Sequence, residues 1–130
     1  MKRLLTLVLP LVLLISACEK KEYVQPNRTV VVDIKPTSWE SNSSGTYYSR
    51  DIDLPELDDY LQDRGAVLVY LSFDNERTYV QIPSVYQGVS YSYQARSGLI
   101  WLEMQRASGT GAVPPPAFMT AKIVLVESDY

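Results

Sequence analysis

The sequence contains no histidine and only one cysteine, Cys18, and each shortage removes a class of chemistry. Histidine is the commonest general base near neutral pH and the commonest metal ligand, so histidine-based hydrolytic triads and zinc sites are excluded. A single cysteine cannot form a disulfide within the chain. We therefore expect a fold stabilised by burial of apolar side chains, with no metal and no cofactor.

Positive charge is also scarce. The chain has 12 Lys and Arg against 15 Asp and Glu, which gives a formal net charge of −3. Lys2 and Arg3 lie in the N-terminal segment described next, so the rest of the chain is more acidic than this figure. Proteins that bind nucleic acid or anionic lipid surfaces need clustered basic residues to neutralise phosphates. We therefore expect no nucleic-acid partner.

Residues 1–17 have the three-part order of a bacterial signal peptide. A positive start at Met1–Arg3 precedes an apolar run over Leu4–Ile15, and the small residues Ser16 and Ala17 follow. The apolar run is shorter than the about 20 residues that a membrane-spanning helix requires. A permanent transmembrane helix is therefore the weaker interpretation, and secretion with removal of residues 1–17 is expected.

The segment Ile15-Ser16-Ala17-Cys18 resembles the lipobox of bacterial lipoproteins. This resemblance implies cleavage between Ala17 and Cys18, attachment of lipid to the Cys18 sulfur, and acylation of the new amino terminus. One acyl chain binds a membrane only marginally, whereas two or three give stable anchoring. The implied location is the cell envelope, with the outer membrane favoured and both leaflet and surface orientation left open. The alternative is an ordinary signal peptide in which Cys18 is incidental.

After Cys18 the sequence predicts a tether and a single folded domain. Residues 18–29 are polar and show no apolar periodicity, whereas residues 30–130 contain seven short segments rich in β-branched and aromatic residues. Their spacing, with turn residues between them, predicts an all-β protein: a single antiparallel β-sandwich, immunoglobulin-like or similar, of about seven strands. The segments are 30–34, 46–53, 66–73, 78–83, 89–95, 99–104 and 118–126.

One short helix is predicted near 54–64. Asp53 is placed to cap its N-terminus, and Gly65 suits the position that follows its C-terminus. Leu57 and Leu61 fall four residues apart on one helical face, which should therefore lie against the sheet. The segment is the one convincing helix of the chain.

The unbroken apolar run at 66–73 predicts a central strand that is covered on both faces.

The folded part of the chain resembles short, uncharacterised envelope lipoproteins of Bacteroidota. The resemblance rests on three segments: Gly65–Tyr70, Tyr79–Pro83 and Lys122–Val126. The resemblance implies the fold and the envelope setting, and it brings no established activity.

Aromatic residues are the most suggestive functional feature. Tyrosine and tryptophan combine an apolar body with a polar tip, which suits both glycan stacking and anchoring at protein interfaces. The candidate binding face contains Tyr79, Tyr91, Tyr93 and Trp101, with Tyr91 and Tyr93 expected to be exposed together. The alternative is that these are half-buried strand residues. Pro114–Pro116 predicts either a recognition segment or a stiff connector.

Acidic residues cluster around the predicted helix and offer two further interpretations. Carboxylates can bind calcium, although the spacing here fails the EF-hand pattern, and capping and the helix dipole account for several of the acids. Paired carboxylates can also hydrolyse glycosides without histidine. The acidic cluster consists of Asp51, Asp53, Glu56, Asp58, Asp59 and Asp63.

The expected function is that of a non-enzymatic, membrane-anchored envelope lipoprotein. Such a protein binds another envelope protein or has a structural role. The alternative is a glycan-binding module that uses exposed tyrosine and tryptophan, and a hydrolase without histidine is the remote alternative.

Overall fold

The computed structural model describes residues 27–128. The predicted signal peptide (1–17), Cys18 and most of the tether lie outside the described residues. Within 27–128, two antiparallel sheets pack as a sandwich with one short helix, which confirms the predicted fold class. The elements are β1 (Arg28–Ile34), β2 (Glu40–Ser41), β3 (Tyr47–Asp53), α1 (Asp59–Arg64), β4 (Ala66–Ser72), β5 (Val80–Ile82), β6 (Ser84–Tyr86), β7 (Val89–Arg96), β8 (Leu99–Arg106) and β9 (Met119–Val126).

The strands form a four-stranded sheet A, of order β1-β9-β4-β5, and a five-stranded sheet B, of order β2-β3-β8-β7-β6. All seven predicted strands have counterparts, and the described residues add the short strands β2 and β6. The predicted strand 78–83 stops at Ile82, and the following peptide bond to Pro83 is cis. Because proline has no N–H to donate to a ladder, the chain leaves sheet A there and enters sheet B as β6.

The core lies between the two sheets and is built from alternate residues of each strand. On β8, Ile100, Leu102 and Met104 point inward and are at most 2% exposed. The run at 66–73 gives a central strand, β4, as predicted, but only one of its faces is fully covered. Leu68 and Tyr70, on its outward side, remain partly exposed.

The helix is shorter than predicted. It spans Asp59–Arg64 instead of 54–64, and Asp58 caps it in place of Asp53 by accepting a hydrogen bond from the backbone N–H of Leu61 at 2.8 Å. Asp53 cannot serve as the cap because it lies in β3, in register with Leu99 of β8. Pairing with β8 therefore decides where the helix begins.

The residues before the helix form a turn that closes one end of the sandwich. The N–H of Leu57 donates to the carbonyl of Leu54 at 3.0 Å, and both side chains are fully buried with that of Leu61. Two further backbone hydrogen bonds connect this turn to Gly98 in the β7–β8 turn: Leu54 N–H to Gly98 O at 2.9 Å, and Gly98 N–H to Leu57 O at 2.6 Å.

No helix within residues 27–128 is long and apolar enough to cross a lipid bilayer.

Candidate functional site

The aromatic residues predicted to share one binding face lie on three different surfaces. Tyr91 and Tyr93 do share a face of β7, but that face is turned toward the core: Tyr91 is 7% exposed, and Tyr93 packs against the core residues. The Tyr93 hydroxyl donates to the carbonyl of Val67 in sheet A at 2.7 Å, which joins the two sheets. Burial raises the pKa of both phenols. The expectation that they are exposed together is wrong.

Tyr79 and Trp101 point away from the core, on opposite outer faces of the sandwich. Tyr79 lies beside sheet A, where Lys122 Nζ is 4.0 Å from its ring centroid and its hydroxyl donates to Glu76 Oε1 at 3.2 Å. Trp101 lies on the outward side of β8 in sheet B, since its neighbours Ile100 and Leu102 point inward. These two residues therefore cannot line one small-molecule site.

An aromatic cluster lies where β4 ends and β9 begins; the sequence singled out Tyr91 and Pro114–Pro116 in it, but not Phe73 or Phe118. Phe73 stacks on Tyr86 with parallel rings 4.3 Å apart, and its ring centroid is 5.1 Å from that of Tyr91. Tyr86 is 36% exposed and Phe118 is 44% exposed. We call this surface the aromatic cleft, and it comprises Phe73, Tyr86, Tyr91, Phe118 and Pro114–Pro116.

Three depressions adjoin around Phe73 and give the aromatic cleft its shape. Their volumes are about 460, 330 and 240 Å³. The second is lined by the proline run together with Tyr86 and Tyr91, so Pro114–Pro116 forms a wall of the cleft. Phe73 directly follows β4 and Phe118 directly precedes β9, so both stand at the ends of apolar runs. This position at the end of an apolar run was the only hint in the sequence that the two residues could line a surface site. It does not distinguish a core residue from a surface residue.

The outer face of sheet B surrounds one aromatic ring with polar groups. Trp101 lies between Asp51 of β3 and Gln94 of β7 in the strand register. The Arg96 guanidinium lies 4.8 Å from the Trp101 ring centroid and donates to Gln94 Oε1 at 3.2 Å. Such an exposed cation–π contact is worth only about 0.5–1 kcal/mol. A shallow depression of about 230 Å³ opens beside the ring, and it is lined by Glu40, Ser49, Asp51, Arg96, Leu99 and Trp101.

Glu103, two residues beyond Trp101 on the same face, is already engaged. It accepts hydrogen bonds from the Tyr47 hydroxyl at 2.8 Å and from Ser92 Oγ at 3.4 Å. The pKa of Tyr47 is raised to about 12. Burial is the largest cause, and the hydrogen bond to Glu103 and the negative charge of Glu103 contribute less. Tyr47 therefore remains a protonated donor to this carboxylate at neutral pH.

The acidic cluster predicted around the helix is dispersed over several elements. Asp51 and Asp53 are exposed on β3, Glu56 lies in the turn before α1, Asp58 caps α1, and Asp59 and Asp63 are exposed on α1. Among residues 27–128, no three acidic, cysteine or histidine side chains lie close enough together to hold a metal ion. The hydrolase alternative stays a prediction.

No protein-family model, curated protein or solved structure matches this chain. Its function is therefore argued from the surfaces described above.

Proposed function

We propose that this chain is a lipid-anchored protein of the bacterial cell envelope whose β-sandwich binds another envelope protein at the aromatic cleft. The lipobox-like segment Ile15–Cys18 supports the anchor. The domain acts without enzymatic chemistry in this proposal, and the partner contributes an apolar segment that enters the cleft. The outer membrane is the proposed location.

The exposed aromatic surface is the observation that carries the binding proposal. Phe118 and Tyr86 are both exposed large aromatic residues, and each lines a depression that also contains Phe73. Covering apolar area contributes about 25 cal/mol per Å², and a few aromatic anchors usually dominate the affinity of an interface. Contiguous exposed apolar surface on a domain marks an interaction site more often than scattered apolar residues do.

The walls of the aromatic cleft are held in place before any partner arrives. Val113 is 4% exposed, and its N–H donates to the carbonyl of Gly45 at 2.9 Å. Arg106 Nε donates to the carbonyl of Ala112 at 2.8 Å, and Pro116 is buried. Proline residues have little backbone freedom to lose. Binding at this cleft therefore has a small ordering cost.

Crosslinking at defined positions tests this proposal. A photoreactive phenylalanine derivative at position 118, in cells that make the full chain, is expected to form a discrete adduct with one envelope protein. The same residue at position 60 is the matched control, because Tyr60 is 52% exposed but lies on α1, away from the cleft. Adducts of equal yield at the two positions would contradict the proposal.

Substitution of Phe118 by serine gives the corresponding loss of function. Removing an aromatic anchor is expected to weaken capture of the crosslinked partner about tenfold or more. Tyr60→Ser, which removes an aromatic ring of similar exposure, should leave capture unchanged. Partner recovery from native membranes measures both variants, and undiminished recovery with Phe118→Ser would exclude the cleft as the binding surface.

A glycan-binding function is the second candidate, supported by the surroundings of Trp101. A flat indole ring beside a carboxylate, an amide and a guanidinium matches what a neutral sugar needs, namely an apolar platform and hydrogen-bonding groups. Cellohexaose and chitohexaose titrated calorimetrically into the protein should then bind, and Trp101→Ala should weaken binding about tenfold. Tyr79→Ala, on the opposite face, is the control. Equal affinities for the two variants, or no heat with either sugar, would rule out this site.

A further inference from the structure

The two sheets have four edge strands, and one of these differs from the rest. In sheet A the edges are β1 and β5, and in sheet B they are β2 and β6. Strand β1 has seven residues, whereas β5 and β6 have three each and β2 has two. Short edges offer few unpaired backbone groups, so they are poor templates for another strand. Strand β1 is therefore the one extended edge among the described residues.

Strand β1 also lacks the devices that usually protect an edge. Its seven residues pair with β9 in unbroken register from Arg28 to Ile34, without a bulge, and it contains no proline. Its only charges are on Arg28, the first residue, and Asp33, the sixth. Between them lie Thr29 and three consecutive valines, and the middle valine, Val31, is 51% exposed on the outer side. A flat, apolar edge of this kind favours pairing with a further strand.

Side-chain contacts connect both ends of the edge to β9 and the residues that follow it. Arg28 Nη2 forms an ion pair with Glu127 Oε1 at 3.4 Å, and Asn27 Oδ1 accepts from the Glu127 N–H at 3.1 Å. Near the other end, Thr120 Oγ1 lies 3.4 Å from Asp33 Oδ1. A partner strand therefore meets an ordered edge and does not have to order it.

We infer that β1 pairs antiparallel with β1 of a second copy of this chain, so that sheet A continues across a two-fold axis. A second copy offers an edge of the same seven residues, and the charges argue for the antiparallel direction. Antiparallel self-pairing moves the two copies of Arg28, and likewise the two copies of Asp33, to opposite ends of the paired strands. Parallel pairing in register would place like charges side by side, which is unfavourable.

The alternation of β1 restricts the register of this pairing. Residues opposite one another across a two-fold axis normal to the sheet must point to the same side. A register centred on Val31 meets this condition: it sets Val31 against its symmetry mate on the outer face and Thr29 opposite Asp33. On the inner face it sets Val30 opposite Val32. The exposed Val31 side chain then gains an apolar neighbour, and no like charges face each other.

Self-pairing through β1 does not depend on the proposed partner-binding function. Self-pairing uses the backbone edge of β1, whereas the aromatic cleft is formed by side chains around Phe73. The two come near each other where Ile34 of β1 is in register with Met119, the residue after Phe118. Failure of one leaves the other standing.

Disulfide trapping in native membranes tests the pairing with the full chain. Val31→Cys places two thiols opposite each other at the axis, with Cβ atoms about 5 Å apart, close enough for a disulfide after a small shift of the two strands. Oxidation is expected to give a species of twice the monomer mass. Val85→Cys is the control, because Val85 is 59% exposed on β6. The unaltered chain gives the background from Cys18 in precursor that has not yet been lipidated. A dimer yield from Val31→Cys no higher than these two backgrounds would overturn the inference.

The register has its own test. Thr29→Cys alone should not crosslink, since the two copies of position 29 would be about 13 Å apart along the strands. Co-expression of Thr29→Cys with Asp33→Cys should restore the dimer. Adding Val31→Lys to both chains sets like charges at the axis and should lower this yield about tenfold. Crosslinking of Thr29→Cys alone to the same extent as the mixture would show that the predicted register is wrong, and an unchanged yield with Val31→Lys would overturn pairing through β1.

Discussion

Replacing Gly65 by alanine is expected to lower the free energy of unfolding by about 3 kcal/mol, at the upper end of what overpacking costs. A Cβ at this position would overlap Leu61 Cδ1 and lie 2.6 Å from the carbonyl oxygen of Val126 and 2.9 Å from that of Leu61. Two of these three atoms are backbone and cannot rotate away. The helix terminus and the end of β9 would have to separate.

The loss of stability in Gly65→Ala should come from steric overlap of the added Cβ and not from backbone strain. Gly65 has φ −94°, which any residue adopts, whereas Gly109 has φ +79° and a Cβ added there would have no other atom within 4 Å. Gly109→Ala therefore measures left-handed strain alone, at about 1 kcal/mol. Thermal unfolding of the two purified variants gives the comparison, with a difference of about 10 °C in melting temperature expected. Equal melting temperatures would show that helix and β9 tolerate separation.

Cys18→Ser is expected to abolish lipid attachment completely. A serine hydroxyl cannot form the thioether, so the variant should accumulate as unprocessed precursor that retains residues 1–17. Labelling of growing cells with radioactive palmitate, followed by electrophoresis of the immunoprecipitated protein, measures both lipid uptake and processing. The variant should carry no label and should migrate more slowly than the processed chain.

A matched substitution distinguishes the effect of losing the thiol from the effect of changing the segment around it. Ser16→Ala keeps a small residue before the cleavage position and should be labelled and processed normally. If Cys18→Ser took up palmitate at the normal level, the lipoprotein assignment would be excluded. If it were cleaved without label, Ala17 would be the end of an ordinary signal peptide.

Local patterns predicted most of the strands because strand formation depends on alternation and on turn residues close in sequence. The hairpin of β7 and β8 illustrates this, since clear alternation at 89–95 precedes a turn containing Gly98. The predicted helix start was wrong because it depends on a distant strand. Residue 53 was free to cap a helix in the sequence, but pairing with Leu99 keeps it in β3.

The tyrosines of β7 show a second limit. Alternation established that Tyr91 and Tyr93 share a face, but tyrosine suits both a core and an exposed surface, so the pattern did not fix the direction of that face. The packing of β7 against sheet A decided it, since the Tyr93 hydroxyl reaches the Val67 carbonyl there. The four residues of the predicted binding face therefore lie apart: two are turned toward the core, and the other two are on different outer surfaces.

By itself the sequence determined the β-sandwich, the absence of histidine chemistry and the lipobox-like segment, because each follows from residue types and their local order. Only the tertiary structure decided which surfaces of residues 27–128 are open: the aromatic cleft, the surroundings of Trp101 and the edge of β1, which no described strand pairs with. Each of these depends on the order of strands within the sheets. That order is set by contacts between residues far apart in the chain, such as Arg28 with Leu125, which no local pattern records.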